Sequence, residues 1–288
     1  MGSRHPHATG HIGQTQDGVS GRTAASQGAD ASMTGFDALI VTHNSAEDLR
    51  AALACAPLRE AFPRIVVVDN DSKDDSVTVA EAAGAEILRR STNDGLAAAV
   101  NAGARLMRGD VFALLNPDVQ LDHASAVGCL ARHLAEPCVG AVAPALRLPH
   151  GGLQDSARDV PAPGQLALRR LTRSDLGAIR SREPVDVDWV VAAFMLVRRE
   201  AFGDVGGFDE RYRLYFEDVD FCVRLWSAGW TVRLDPTVVV RHEHRATSRG
   251  SVLGWAFREH VRSAGRFFAR HPDLLLPTGR ERLARPAR

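Results

Sequence analysis

The stretch ALIVTHNSAEDLRAALACAPLREAFPRIVVVDN, residues 38–70, decides how the chain folds. Its opening apolar run is too short for a buried helix and stops at Thr42, His43 and Asn44. AEDLRAALACAPL follows with apolar residues at helical spacing, and RIVVVDN (64–70) is a second apolar run, ending in Asp69 and Asn70. Strand, helix and strand in this order form a right-handed βαβ unit with parallel strands. The alternation continues outward. DDSVTVAEAAG reads as a helix closed by Gly84, AEILRRS as a strand, DGLAAAVNAGARLM as a helix, VFALLNPD as a strand and HASAVGCLARHLAE as a helix. The expectation is an α/β fold, a mostly parallel sheet with helices on both faces.

The strands share a second property: Thr42, His43 and Asn44, then Asp69 and Asn70, then Asn116 and Asp118 all fall at carboxyl ends. That edge of an open α/β sheet is where ligands bind. The same residue types also cap the helices that follow, so each alone reads equally as a cap.

Composition narrows the function classes. The 288 residues are 45% apolar with a formal net charge of zero, enough for a large core and without the basic field of a nucleic-acid binder. Charge is uneven at the end, where eight arginines face three acids after position 250. Cys55, Cys129, Cys138 and Cys222 have no CxxC spacing and read as reduced core residues of a cytoplasmic protein. No signal pattern opens the sequence, and no apolar run approaches the ~18 residues that span a bilayer, so any membrane contact is expected to be peripheral, on the inner face of the plasma membrane.

Residues 1–34 are rich in Gly, Ser, Thr, His and Gln without periodicity and are expected to be a disordered extension, with Met33 a candidate natural start. A domain over 35–250 follows, with a nucleotide-binding half near 35–120 and an acceptor half near 121–250, then a basic helix and tail over 251–288. In the second half, LPHGGLQDSARDVPAPG reads as a loop over the sheet edge, VDWVVAAFMLVRREAF as one buried strand running into a helix, and TVRLDPTVVVRHEH as a strand pair broken at Asp235 and Pro236.

YFEDVDFCVRL (215–225) sets Glu217, Asp218 and Asp220 beside aromatics. A helix start explains some of this, since its dipole favours acids by roughly 0.3–1 kcal/mol each. It does not explain Tyr215 and Phe216. Taken in order, VTHNS, VVDNDSKDDS, NDGLAAAVNAG, LLNPDV, LQDSAR, the block from Trp189 to Trp230 and VVVRHEHRATS resemble the family-2 glycosyltransferases of GT-A fold, in their bacterial rhamnosyltransferase-like branch. The resemblance covers about residues 36–250.

It implies an inverting transfer from a nucleotide diphosphate sugar, dTDP-rhamnose or a UDP-sugar, to a saccharide or lipid-linked acceptor in cell-envelope polysaccharide assembly. Asp69 matches the family acid that accepts from a pyrimidine N–H, with Thr42, Asn44, Asn70, Asn93 and Asn101 in the nucleotide-binding set. The family's Asp-x-Asp motif stands here as Asn116-Pro117-Asp118. That substitution leaves Asp118 as the carboxylate for Mg2+ or Mn2+ and moves Asn116 to the ribose or an outer shell. His242, five residues before Thr247, matches a further metal ligand, with His244 an open alternative. Asp218 matches the general base and Glu217 its neighbour, while Asp220 faces elsewhere and either pairs with Arg213 or Arg224 or only helps the helix start. Trp189, Ala192 and Ala193 match the segment nearest the donor sugar, although many relatives have Gly where Ala192 stands. Gln154, Ser156 and Arg158 lie in the loop over the site. A catalytically silent relative that binds nucleotide sugar for a partner enzyme is the competing reading. A dinucleotide dehydrogenase is excluded, because VTHNSAEDL has no GxGxxG.

WAFREHVRSAGRFFARH, residues 255–271, places Arg258, Arg262, Arg266 and Arg270 at i+4 spacing beside aromatics. Such a helix suits either a membrane surface or docking on the catalytic domain.

Overall fold

In the computed structural model, the structure describes residues 36–160, 162–164, 166, 179–243 and 254–275. The expected N-terminal extension, His244, Thr247 and the end of the tail lie outside them. In chain order the elements are β1 (Asp37–Thr42), α1 (Ala46–Ala54), α2 (Ala56–Ala61), β2 (Arg64–Asn70), α3 (Ser76–Ala82), β3 (Glu86–Arg90), α4 (Leu96–Ala104), β4 (Val111–Leu115), β5 (Val119–Gln120), α5 (Ser125–Ala131), β6 (Val139–Arg147), β7 (Ala157–Arg158), β8 (Val185–Asp186), β9 (Trp189–Val190), β10 (Phe194–Arg198), α6 (Arg199–Asp204), α7 (Glu217–Ser227), β11 (Thr231–His242) and α8 (Trp255–Arg270).

The main sheet has nine strands, ordered β3-β2-β1-β4-β10-β6-β11-β5, with β8 beside β11. Strands β3, β2, β1 and β4 are parallel, as the βαβ reading requires, with Thr42 opposite Asp69. Beyond β4 the sheet becomes mixed. β10 runs antiparallel to both β4 and β6, while β6 and β11 are parallel to each other. Ala38, Leu39 and Ile40 of β1 are fully buried, as expected of a strand covered on both faces. One layer of the core holds Leu49, Leu58, Phe62 and Leu130, and a second holds Val100, Phe112, Phe208 and Phe221. On α4, Gly103 lets the helix approach the sheet closely, because a Cβ there stands 2.3 Å from Leu39 Cδ1.

Several expectations change. The mostly parallel sheet is mixed, because β10 returns antiparallel between β4 and β6. VDWVVAAFMLV is not one strand but two: β9 pairs with β7 in a separate ribbon, and β10 enters the main sheet beside β4. TVRLDPTVVVRH is one strand, not a pair: Asp235 and Pro236 produce a register shift against β6 instead of a turn. β6, from Val139 to Arg147, has no counterpart in the sequence reading. Of the four cysteines only Cys222 is buried, and Cys138 is exposed.

Candidate active site

Thr42 and Asp69 end adjacent parallel strands and are 1% and 4% exposed. Asp69 Oδ2 accepts from the backbone N–H of Ser72 at 3.3 Å, while Asp69 Oδ1 and Thr42 Oγ1 are buried without a hydrogen-bond partner within the protein. A buried polar atom left so costs about 1–3 kcal/mol, which a ligand hydrogen bond recovers. Asn44, with φ 51°, holds the loop after β2: its N–H donates to Ser72 Oγ at 3.0 Å and its Oδ1 accepts from Lys73 N–H at 2.7 Å.

Asn70 and Asn93 work as a pair. The Asn70 amide donates to Asn93 Oδ1 at 2.8 Å and to the Gly95 carbonyl at 3.3 Å, fixing the turn that opens α4. Asn101 bonds within the protein. It donates to the Phe208 carbonyl at 2.8 Å and accepts from Phe208 N–H at 2.9 Å, so its amide ties α4 to the glycine turn.

The second group gathers around Asp118. Antiparallel pairing of β5 with β11 sets His242 opposite Val119, and Glu243 N–H donates to the Asp118 carbonyl at 3.0 Å. His242 Nε2 then lies 3.2 Å from Asp118 Oδ1, and its Nδ1 lies 2.6 Å from Gln154 Oε1. Gln154 as acceptor assigns the proton to Nδ1, so Nε2 turns a lone pair toward a carboxylate oxygen. Two electron pairs that close require a proton or a cation between them. One carboxylate and one imidazole fit Mn2+ or Mg2+ if diphosphate oxygens and water complete the set. Among the described residues no cluster of three or more His, Cys, Asp or Glu offers a fuller cage.

Asn116 links this group to the acids of α7. Its backbone N–H donates to the Ala193 carbonyl at 2.8 Å, and Ala192 N–H in turn reaches Asp218 Oδ2 at 3.4 Å. The break between β9 and β10 therefore has a use: residues 192 and 193 carry the contact from the Asp118 turn to the start of α7. Trp189 donates from Nε1 to the Asp159 carbonyl at 3.3 Å, which fixes the ring at the ribbon. Arg158, opposite Trp189 in that ribbon, is buried and ion-paired with Asp155, so it braces the loop. Ser156 contributes its carbonyl, which accepts from Val191 N–H at 2.8 Å.

At α7 the backbone is unusual. Tyr215 and Phe216 have φ of 65° and 68°, two successive left-handed residues without glycine. Each costs on the order of 1–3 kcal/mol and persists only where its surroundings fix it. Glu217 and Asp218 follow at once. Glu217 is 6% exposed, with Oε2 buried and unpartnered in the protein. Burial first, then the Asp218 charge, pushes the Glu217 carboxyl well above the usual range. Burial also raises Asp218, against the N–H groups of Val219 and Ala192 that favour its charged form. The two acids act as a pair with Glu217 the stronger proton holder.

Asp220 is separate from them. It is fully buried, with Oδ2 2.6 Å from Arg224 Nε and Oδ1 2.9 Å from His271 Nε2. Of the two arginines that the sequence offered, the partner is Arg224. The sequence reading missed Gly95, whose φ of 102° and 2.4 Å Cβ clearance from the Arg213 carbonyl exclude any side chain. Its signal was the Asn93-Asp94-Gly95 turn before a helix. Left-handed Tyr215 and Phe216 had no such signal.

Residues 37–206 match Glycosyl transferase family 2, and residues 169–266 match Glycosyl transferase family group 2. The chain is 33% identical over 257 residues to N-acetylglucosaminyl-diphospho-decaprenol L-rhamnosyltransferase of Mycobacterium tuberculosis, covering 80% of this chain and 82% of that protein. It is 42% identical over 84 residues to rhamnosyltransferase WbbL of Escherichia coli, covering 29% of this chain and 31% of that one. Among solved structures, GalNAc-T7 with UDP, GalNAc and Mn2+ aligns at a TM-score of 0.62 and 16% identity, over 88% of this chain and 54% of that one. The chain thus spans about half of GalNAc-T7, and the mixed α/β fold is that of the GT-A enzymes.

Proposed function

The chain belongs to glycosyl transferase family 2 and is a glycosyltransferase, and from that premise we propose an inverting transfer from a nucleotide diphosphate sugar. The leading donor is dTDP-rhamnose, with UDP-sugars next, in keeping with the rhamnosyltransferase relatives. The acceptor is a hydroxyl of a saccharide or lipid-linked saccharide in cell-envelope polysaccharide assembly.

Asp69 Oδ1 and Thr42 receive the pyrimidine, whose ring N–H meets the unpartnered carboxylate oxygen. Asp118 and His242 would hold a divalent metal, which would supply Lewis-acid stabilisation of the departing diphosphate. Asp218 takes the proton of the acceptor hydroxyl as that oxygen bonds to the anomeric carbon from the side opposite the diphosphate. The bond to the diphosphate oxygen breaks with its electron pair, and the configuration inverts. Glu217 keeps the proton of the acid pair, so that Asp218 is the anionic member. Trp189, Ala192 and Ala193 line the sugar side, with Tyr215 and Phe216 keeping water from that end.

The observation that carries this reading is the short path from Asp118 to Asp218 through the Asn116–Ala193 and Ala192–Asp218 hydrogen bonds. That path supports leaving-group and base chemistry acting on one bound donor. The test is incubation with Mn2+ or Mg2+ and a panel of dTDP- and UDP-sugars, reading released nucleotide diphosphate. Release from one donor supports the reading; binding without release from any donor, lipid acceptors included, supports the silent relative.

The outer face of α8 carries Trp255 at 55% and Val261 at 54% exposure beside Arg258 and Arg262. That combination suits peripheral contact with anionic lipid, and among the described residues no helix is long and apolar enough to cross a membrane. Replacing Trp255 and Arg258 together by Ser should abolish flotation with phosphatidylglycerol vesicles; unchanged flotation removes the proposal.

A further inference from the structure

Residues 213–216, which deliver the chain to Glu217, are held from two sides. On one side the Arg213 carbonyl lies against Gly95, where no Cβ fits. On the other, α8 presents His260, Ser263, Phe267 and, just past its end, His271 at spacings of three and four residues, one stripe along the helix. Ser263 is 1% exposed and its hydroxyl donates to the Leu214 carbonyl at 2.8 Å, a carbonyl outside its own helix. The His260 ring lies 5.0 Å from Tyr215 and 5.4 Å from Phe216, and Phe267 stands 5.3 Å from Phe216. His271 reaches Asp220 at 2.9 Å, in the first turn of α7. The stripe therefore touches the strained residues and the turn that follows them.

We propose that α8 is part of the transfer machinery: Ser263 and His260 are positioning residues that hold the left-handed Tyr215 and Phe216, and through them the direction of Asp218. The inference rests on Asp218 being the base described above. The strain at 215 and 216 relaxes if its supports are removed, because neither residue favours that conformation. A relaxed loop rotates the first turn of α7, and a reacting group misplaced by about 1 Å loses roughly a hundredfold in rate. Donor binding at Thr42 and Asp69 belongs to other strands and is left intact.

The test compares wild type with Ser263→Ala and Ser263→Thr in the full chain. Ser263→Ala should lower kcat about tenfold or more while donor KM and the Kd for UDP or dTDP with Mn2+ change less than twofold, and Ser263→Thr should restore most of the loss. Carboxyl 13C titration of Glu217 and Asp218 gives a readout independent of turnover: their raised titration should move toward the ordinary range in Ser263→Ala and return in Ser263→Thr. If Ser263→Ala does not fold, His260→Ala, at a surface position, carries the same comparison. Wild-type kcat and titration in the folded variant overturn the proposal while leaving the transfer reading intact. A moved titration in a protein that releases sugar from no donor upholds the positioning role and removes the proposed chemistry.

Discussion

Replacing Asp220 by Asn separates the acid that holds the fold from the acids that do chemistry. The Asp220 carboxylate is fully buried and faces Arg224 Nε at 2.6 Å, His271 Nε2 at 2.9 Å, the Tyr212 hydroxyl at 3.4 Å and Arg270 Nε at 3.5 Å. Burial alone raises its pKa, but the His271 and Arg224 contacts prevail and hold it below the usual range. Asn keeps the shape and removes the charge, leaving Arg224 buried and turning an amide donor toward one of the cations. Arg224 has nowhere to go, since its Nη1 is held by the Val205 and Gly207 carbonyls at 2.6 and 2.7 Å. Losing one partner of a buried pair costs about 3–5 kcal/mol, a large part of the roughly 5–15 kcal/mol that stabilises a domain. Urea unfolding followed by tryptophan fluorescence is the assay, with Trp226 on α7 as reporter. A group with a lowered folded pKa stabilises above its unfolded value and loses that as pH falls through the folded one. The gap between wild type and variant should therefore be full at pH 7 and close toward pH 3. A loss under about 1 kcal/mol at pH 7, or a gap that widens in acid, would refute the assignment.

Glu217→Gln should shift stability and leave the pH dependence of the rate in place. The wild-type rate should rise with pH through a window above the ordinary carboxylate range, because Asp218 must be unprotonated and both acids titrate high. Because Glu217 holds its proton while Asp218 loses its own, Glu217→Gln removes no like charge from Asp218 and that limb should stay in place; a limb that moves to lower pH would mean that Glu217 ionises first. A raised folded pKa gives stability that is present in acid and lost as pH rises, so Glu217→Gln should be more stable than wild type at pH 8 by about 1–3 kcal/mol and equal to it near pH 4. Gly95→Ala sets a Cβ 2.4 Å from the Arg213 carbonyl at φ 102°, and should cost about 2–5 kcal/mol in urea unfolding from strain and overpacking together; a neutral result would mean that the loop is not pinned there.

The parallel half of the sheet was legible because its signals are local: β1, β2 and β4 are short apolar runs and the helices between them carry their own period. The antiparallel entry of β10 was not legible, because a strand buried on both faces has the same composition whichever way it runs. The break at Ala192 and Ala193 was hidden for a related reason. It answers to Asp218, 26 residues later, and no neighbouring residue signals it. Asp118, His242 and Asp218 came from ordered motifs; the structure sets His242 between Asp118 and Gln154, and the Ala192 N–H against Asp218. Asn101 reads as one more polar residue on a helix until Phe208, 107 positions away, takes both ends of its amide. The left-handed pair before α7 depends on α8 in the same way, through contacts that spacing along the chain does not encode.

The central claim is that Asp218 is the base of a sugar transfer. With a donor found in the panel, kcat and the Kd of the matching nucleotide diphosphate should be measured for Asp218→Asn and wild type. In Asp218→Asn, kcat should fall about a hundredfold to ten-thousandfold with Kd within about threefold. Turnover at the wild-type rate would contradict it and move the base to another acid.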